Sequence, residues 1–177
     1  MYIFEISAPR VFGEQWAQGH LKELVPKLQR PNRIIDPDYS GQYDFILEIN
    51  EQKIRIEVKA SRAVDFDDNI PLYVKALSFN SSKRFDMNFQ QVKPDCCDVF
   101  VWVAVWRDQI RYWILSSDEV KSNKYYSKGQ HRGSQGEGQL HIQNDNISEF
   151  DNFLVSSDEL QTKIIDAFKR QQQIGTK

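Results

Sequence analysis

Asp44, Glu57 and Lys59 are the side chains whose types and spacing suggest chemistry most directly. Two carboxylates that converge on one point repel each other unless a cation lies between them, and a hard divalent ion with oxygen ligands is the commonest solution. Mg²⁺ suits such a pair because it takes one or two protein carboxylates and leaves its other positions to water and phosphate oxygens. A lysine beside it would orient or deprotonate an attacking water, or offset charge on a phosphorus.

A hairpin in residues 44–61 would bring these three side chains together. Apolar residues alternate with polar ones through 45–49 and again through 54–58, on either side of the link 50–53, which predicts two half-buried antiparallel strands. Pairing Ile49 with Ile54 keeps apolar opposite apolar, and it predicts that Asp44 faces Lys59 with Glu57 on the diagonal. The alternative is a surface hairpin that carries an ordinary cross-strand ion pair between Asp44 and Lys59.

This order of residues resembles the PD-(D/E)xK nuclease superfamily, which includes most type II restriction endonucleases, archaeal junction resolvases and Mrr-like enzymes. The matching positions are Asp44, which opens one strand, and Glu57-Val58-Lys59, which precedes a small residue on the next. Tyr43 departs from the pattern, because a proline usually precedes the first acid. Pro37-Asp38 is a second candidate for that acid, but it lies in a turn-like run with no fixed relation to Glu57.

The order of helix, hairpin, long buried strand, further strands and helix predicts an α/β domain with a mixed central β-sheet flanked by helices. The resemblance implies that this fold is restriction endonuclease-like. It also implies that Asp44 and Glu57 hold Mg²⁺, that the Val58 carbonyl adds a ligand, and that Lys59 positions or activates the water. Attack in line on phosphorus would leave a 5′-phosphate.

Glu14 is a fourth candidate for the site. A proline near its start and an apolar stripe predict a helix from about Ser7 to Leu28, and Glu14 lies on that stripe. A carboxylate at a core-facing position needs a partner, and in this superfamily a first-helix Glu often points at the metal. The alternative is a first-turn Glu that the helix dipole favours and that tilts to solvent.

Length and composition predict one globular domain spanning 1–177, with 40% apolar and 12% aromatic residues. No signal peptide, membrane span or lipidation motif is visible, so we expect no membrane association and a cytoplasmic location. The adjacent Cys96 and Cys97 suit neither a disulfide framework nor a zinc site. The net charge of −2 excludes whole-chain basicity as an argument for DNA binding.

The remaining elements are predicted from local patterns. Segment 99–106 has the β-branched and aromatic content of a central buried strand, and 110–115 is its partner. We further expect strands at 72–79 and 140–142, and a helix after Ser116. A capping box at Ser156 predicts the C-terminal helix, and Pro94 predicts the end of a short helix at 85–92.

Cationic and polar residues outside the hairpin are candidates for contact with DNA. The segment 122–139 interleaves basic and aromatic residues among glycines, which suits groove reading and phosphate contact, although an ordinary surface loop has the same composition. Gln91 resembles a glutamine on the helix that follows the catalytic strand in several restriction-type nucleases. The predicted DNA-binding residues are Arg33, Ser61, Arg62, Lys83, Arg84, Gln91, Lys128, His131 and Arg132.

Together these features predict a Mg²⁺-dependent endonuclease acting on double-stranded DNA, most simply a type II restriction endonuclease. Cutting both strands at a palindromic site would call for a two-fold homodimer. Two alternatives stay open: a junction resolvase or repair nuclease that reads DNA shape, and a catalytically silent DNA-binding domain on the same scaffold.

Overall fold

The computed structural model describes residues 10–67, 76–129 and 137–174. Three α-helices lie in these ranges: α1 (Arg10–Leu24), α2 (Ser117–Lys121) and α3 (Leu160–Ile174). The strands are β1 (Phe45–Ile49), β2 (Gln52–Arg62), β3 (Val64–Asp65), β4 (Phe85–Val92), β5 (Val99–Val105), β6 (Ile110–Ser116), β7 (Tyr126–Lys128), β8 (Gly138–Gln143) and β9 (Leu154–Val155). Short 3₁₀ helices span Pro94–Cys96 and Ile147–Phe153.

The strands form two sheets. The central sheet has five strands in the order β1-β2-β5-β6-β9, and it is mixed because β2 and β5 run parallel while the other neighbours are antiparallel. The second sheet has four antiparallel strands in the order β3-β4-β8-β7. The chain passes from β2 into β3 across Ala63 alone, so one continuous stretch joins the two sheets.

Two hydrophobic cores cover the two faces of the central sheet. On one face α1 and α3 pack through Ala17, Leu21, Leu160 and Ile164 against the inward residues of β1, β2, β5 and β6. On the other face the bulky aromatics of β5 and β6 pack against Phe85, Met87, Phe89, Leu140 and Ile142 of the second sheet. β5 is buried along its whole length because it is covered on both faces. The layers are therefore helices, central sheet and second sheet.

This architecture confirms the predicted α/β class with a mixed central sheet and flanking helices. β5 and β6 confirm the buried strand and its partner, α3 confirms the C-terminal helix, and the capping box of Ser116 and Glu119 begins α2 as expected. α1 ends earlier than predicted, at Leu24, because Pro26 follows within two residues. Residues 72–75 of the expected strand at 72–79 lie outside the described residues, and 76–79 form no strand.

The helix predicted at 85–92 is wrong, because this segment is strand β4. Phe85, Met87 and Phe89 point into the core between the sheets, while the residues between them are only partly buried. That alternation has the two-residue period of a strand, and Pro94 marks the end of the strand as readily as it would end a helix. Gln91 consequently lies on a strand, at an irregularity in the pairing of β4 with β8, with a φ of 54°.

Candidate active site

Asp44 and Glu57 lie directly opposite each other where the β1–β2 hairpin opens. Phe45 pairs with Ile56 and Ile49 pairs with Gln52, so the continued register sets Asp44 against Glu57. The predicted register was wrong by two residues, because the strands are joined by Asn50-Glu51 alone and not by four residues. Both turn residues have positive φ, 48° and 67°, as a two-residue type I′ turn requires. The two carboxylates are therefore closer neighbours than the sequence suggested.

Lys59 pairs with Glu57 and is almost completely buried. Its Nζ lies 2.7 Å from Glu57 Oε1, and the two side chains are 7% and 14% exposed. This geometry differs from the exposed Asp44–Lys59 ion pair of an ordinary surface hairpin. Burying two charges is costly, and an isolated pair is weak evidence for a structural role, so a buried charged cluster at a sheet edge is a candidate functional site.

Burial shifts the ionisation of all three groups. The pKa of Glu57 is raised to about 7, mainly by burial; Lys59 opposes this rise and the Asp44 charge adds to it. Burial also raises the pKa of Asp44, against the opposing effect of the Val58 N–H. For Lys59, burial lowers the pKa, but the charges of Glu57, Glu14 and Asp44 outweigh it and the net shift is upward. The lysine therefore stays an ammonium ion.

Both oxygens of Asp44 accept hydrogen bonds from the protein. The Val58 N–H donates to Oδ2 at 2.8 Å, and Gln18 Nε2 on α1 donates to Oδ1 at 2.5 Å. Gln18 Oε1 in turn accepts from Arg30 Nη1 at 2.8 Å, and the Arg30 guanidinium lies 4.5 Å from the centre of the Phe45 ring. Helix α1 and the loop after it thus fix the orientation of the first acid.

Gln18 and Arg30 are site residues that the sequence analysis did not assign. Gln18 lies four residues after Glu14, so both occupy one face of α1. The Glu14 side chain is half-buried, and it lies near enough for its charge to raise the pKa of both Asp44 and Lys59. The four-residue spacing from Glu14 is the sequence feature that could have identified Gln18 as a site residue.

The donor set fits a magnesium ion but not a metal held by protein side chains alone. Within the described ranges no group of three or more His, Cys, Asp or Glu side chains forms a cluster that could hold a metal. Asp44 and Glu57 supply the one or two carboxylates that Mg²⁺ takes. The Val58 carbonyl points to the same side of β2 as its N–H, which donates to Asp44, because both groups of one strand residue face the same neighbour. These two side chains and this carbonyl would hold the ion.

Tyr43, which precedes Asp44 at the position where the resembled pattern has proline, is buried and hydrogen-bonded. Tyr43 is 4% exposed, its hydroxyl donates to Asp36, and its ring meets the Tyr39 ring edge-on. Asp38, the other candidate for the first acid, is exposed in a turn. The site is therefore built on Asp44.

The predicted DNA-binding residues fall into separate groups. Ser61 and Arg62 are partly buried at the end of β2, and Ser61 Oγ donates to the Asn88 carbonyl at 3.3 Å. Lys83 and Arg84 precede β4, where Lys83 pairs with Asp65 and the Arg84 guanidinium lies 4.6 Å from the Phe66 ring centre.

Three further predicted contacts lie on other segments of the fold. Arg33 is exposed in the loop after α1, Gln91 is exposed on β4, and Lys128 is exposed on β7 at the outer edge of the second sheet. His131 and Arg132 lie outside the described residues. Among the described residues, the structure therefore brings together Glu14, Asp44, Glu57 and Lys59, with Ser61 and Arg62 next along β2. It places Arg33, Lys83, Arg84, Gln91 and Lys128 on other segments.

Comparison with known proteins gives little beyond this geometry. No protein-family model and no curated protein sequence matches the chain. The structure resembles that of a bacterial homing endonuclease with a TM-score of 0.45 and 8% identity, over 76% of this chain and 78% of the other. A likeness of this degree assigns no activity, so the function has to be inferred from the side chains. In the described ranges no helix is long and apolar enough to cross a membrane.

Proposed function

We propose that this protein is a Mg²⁺-dependent endonuclease that hydrolyses phosphodiester bonds of double-stranded DNA, in the manner of a type II restriction endonuclease. The observation that carries the proposal is the placement of Asp44 directly opposite Glu57 with the buried ammonium of Lys59 at 2.7 Å from Glu57. Such a cluster pairs metal-binding carboxylates with a fixed cation at a sheet edge. The resemblance to the PD-(D/E)xK pattern agrees with this arrangement.

Each side chain of the candidate site would have a separate role in hydrolysis. Magnesium bound by Asp44, Glu57 and the Val58 carbonyl would neutralise charge on the scissile phosphate. Lys59, held as an ammonium by Glu57, would donate hydrogen bonds to the attacking water or to a phosphate oxygen, and its raised pKa opposes a role as proton acceptor. Glu14, whose charge reaches Asp44 and Lys59, would orient that water from the α1 side. Water would add to phosphorus as the P–O3′ bond breaks. The attacking water would lose a proton to solvent and O3′ would take one from solvent, which leaves a 5′-phosphate and a 3′-hydroxyl.

The test is incubation of the purified protein with unmethylated duplex DNA in Mg²⁺ or in chelator, alongside two variants. Lys59→Ala removes the proposed cation, whereas Lys53→Ala removes an exposed lysine of the same strand. We expect discrete, Mg²⁺-dependent bands from the natural protein and from Lys53→Ala, and a loss of about 100-fold or more in rate for Lys59→Ala.

Other outcomes separate the alternatives. Cleavage of a four-way junction in preference to plasmid would indicate a junction resolvase, and a smear would indicate a nuclease without sequence preference. Tight binding with no cleavage of any DNA in any divalent metal would contradict the proposal and favour a silent binding domain. We also propose a cytoplasmic location for the protein, as the sequence led us to expect.

A further inference from the structure

The outer face of the second sheet carries an unusual set of side chains. Strands β4 and β8 both alternate between buried and partly buried positions, so one side of each strand packs in the core and the other faces away from it. The outward side chains, here called the amide face, are Asp86, Asn88, Gln90, Gln139, His141 and Gln143.

The amide face is polar without being cationic. Four of its six side chains are amides, and none is lysine or arginine. Each side-chain amide has both hydrogen-bond donors and an acceptor, and the edges of DNA bases likewise present donors and acceptors in the major groove. A surface that bound the DNA backbone alone would need positive charge, because phosphate contacts come mainly from Lys and Arg.

Much of this hydrogen-bonding capacity is unused. Among the described residues, the side chains of Gln90 and Gln139 make no hydrogen bond. Asn88 Oδ1 also has no partner, but this atom is buried from solvent. Gln90 and Gln139 lie on neighbouring strands just past the pairing of Phe89 with Leu140, within the irregularity that separates this pair from that of Val92 with Gly138. Unpaired amides next to each other on a rigid sheet can accept a ligand that supplies the missing partners.

One end of the amide face is already oriented. Asp86 Oδ1 accepts from Gln143 Nε2 at 2.8 Å and contacts His141 Nδ1 at 2.9 Å. A carboxylate at Nδ1 favours the tautomer in which Nδ1 carries the proton and Nε2 is an acceptor. Asp86 therefore fixes two side chains that would otherwise lose rotamer freedom on binding.

Strand β3, which continues from β2, connects the candidate active site with the second sheet. β2 carries Glu57 and Lys59 and runs into β3, where Val64 pairs with Asp86, and Ser61 Oγ donates to the Asn88 carbonyl. Five residues of extended chain separate Lys59 from Val64, or about 17 Å, which is about half a turn of B-DNA. A duplex with its scissile phosphate at Lys59 would thus bring nearby base pairs to the second sheet.

We infer that the amide face reads base edges in the major groove of the DNA and sets the sequence preference of the protein. The groove is about 12 Å wide and admits a two-stranded β-ribbon. β4 and β8 are the two long strands at the centre of the second sheet, with only the short strands β3 and β7 beside them. The amides of Gln90 and Gln139 suit bidentate hydrogen bonding to adenine, while Asp86 can accept from the cytosine amino group. This inference rests on the proposed function insofar as it takes duplex DNA as the ligand.

The test is selection of bound sequences from a randomised duplex library, which requires no cleavage. The variants are Gln90→Ala and the isosteric Gln139→Glu, which keeps the shape of the side chain and removes its donors. Gln173→Ala, an exposed glutamine on α3, is the control. We expect the Lys59→Ala protein to enrich a defined motif, and each amide-face change in that background to relax one position of it by about tenfold or more. The control should leave the motif intact.

The inference and the proposed function can fail separately. A defined motif that Gln90→Ala and Gln139→Glu both leave unchanged, in proteins whose thermal unfolding matches the parent, would overturn the inference while DNA cleavage still stood. Absence of any enriched motif would also overturn it. A motif that relaxes as expected in a protein that never cleaves DNA would support the inference and contradict the proposed endonuclease.

Discussion

The orientation of one carboxylate illustrates how the site depends on residues that do no chemistry. Asp44 accepts from the Val58 N–H on one oxygen and from Gln18 on the other, and Arg30 holds the Gln18 amide. Each carboxylate oxygen still has a free lone pair for a cation. Partners of this kind fix the geometry of metal ligands, and their loss typically costs 10- to 100-fold in metal affinity or activity.

Replacing Gln18 should therefore reduce the affinity for Mg²⁺ more than it reduces the stability of the fold. We expect Gln18→Ala to raise the Mg²⁺ concentration that gives half-maximal cleavage by about tenfold or more, with little change in melting temperature. Gln15→Ala, an exposed glutamine on the same helix, should leave both quantities unchanged. An unaltered Mg²⁺ titration for Gln18→Ala would show that the hydrogen bond to Asp44 has no part in metal binding.

At the scale of elements, the hairpin shows what the sequence could determine and what it could not. The alternation of apolar residues placed β1 and β2 and their faces correctly, but a shift of two residues keeps every side chain on its own face. Only the turn distinguishes the two registers, and Asn50-Glu51 lacks the glycine that usually marks a type I′ turn. The alternation therefore could not predict that Asp44 lies opposite Glu57. It could have predicted strand β4, since Phe85, Met87 and Phe89 alternate with less buried residues.

The turn itself can be tested by relieving its strain. Glu51 has a φ of 67°, a conformation that costs most residues about 1–2 kcal/mol and glycine very little. We expect Glu51→Gly to raise the free energy of unfolding by about 0.5–1 kcal/mol in urea titrations. This net gain is smaller than the relieved strain, because glycine also gives the unfolded chain more conformational freedom. Glu51→Ala removes the same charge but keeps the strain, so it should not stabilise the protein. Equal effects of the two changes would mean that the backbone of the turn is not strained.

Helix α1 docks on the central sheet through a cluster that should make stability depend on pH. His20 stacks between Trp16 and Tyr112, with ring centres 4.8 and 5.9 Å away, and its Nε2 lies 2.6 Å from the Tyr112 hydroxyl. Burial lowers the pKa of His20, against the opposing charge of Glu23. On acidification the unfolded chain therefore takes up a proton before the folded protein does, and the free energy of unfolding falls.

The measurement is urea unfolding from about pH 7.5 to about pH 5.5 in the natural protein and in His20→Gln. We expect the natural protein to lose more stability than the variant over this range, because glutamine does not titrate. The variant should be less stable at the upper end, where the neutral imidazole is most favourable. Parallel pH profiles for the two proteins would assign the pH dependence to other groups.

For the whole molecule, composition and periodicity predicted the α/β class, the buried strand β5 and the terminal helix α3, because each depends on local pattern alone. They did not predict that β2 continues into a second sheet, since β3 is only two residues long and pairs with a strand about twenty residues away. They also gave no sign of the amide face, which exists only once β4 and β8 lie side by side. Surfaces made by distant strands leave no local signal.

The last prediction follows from the proposed function and from the single candidate active site in the described part of the chain. A single site of this kind cuts one strand, so a protein that breaks both strands of a palindromic sequence in one encounter should be a two-fold dimer. When natural and Lys59→Ala subunits are co-expressed in equal amounts, random pairing makes about half of the dimers mixed. A mixed dimer has one working site, and it should nick plasmid DNA and accumulate open circles. Natural protein diluted twofold is the control, and it should yield linear product without that accumulation. If the co-expressed mixture behaved like the diluted protein, each subunit would be acting alone, and the active unit would be a monomer that meets the two strands independently.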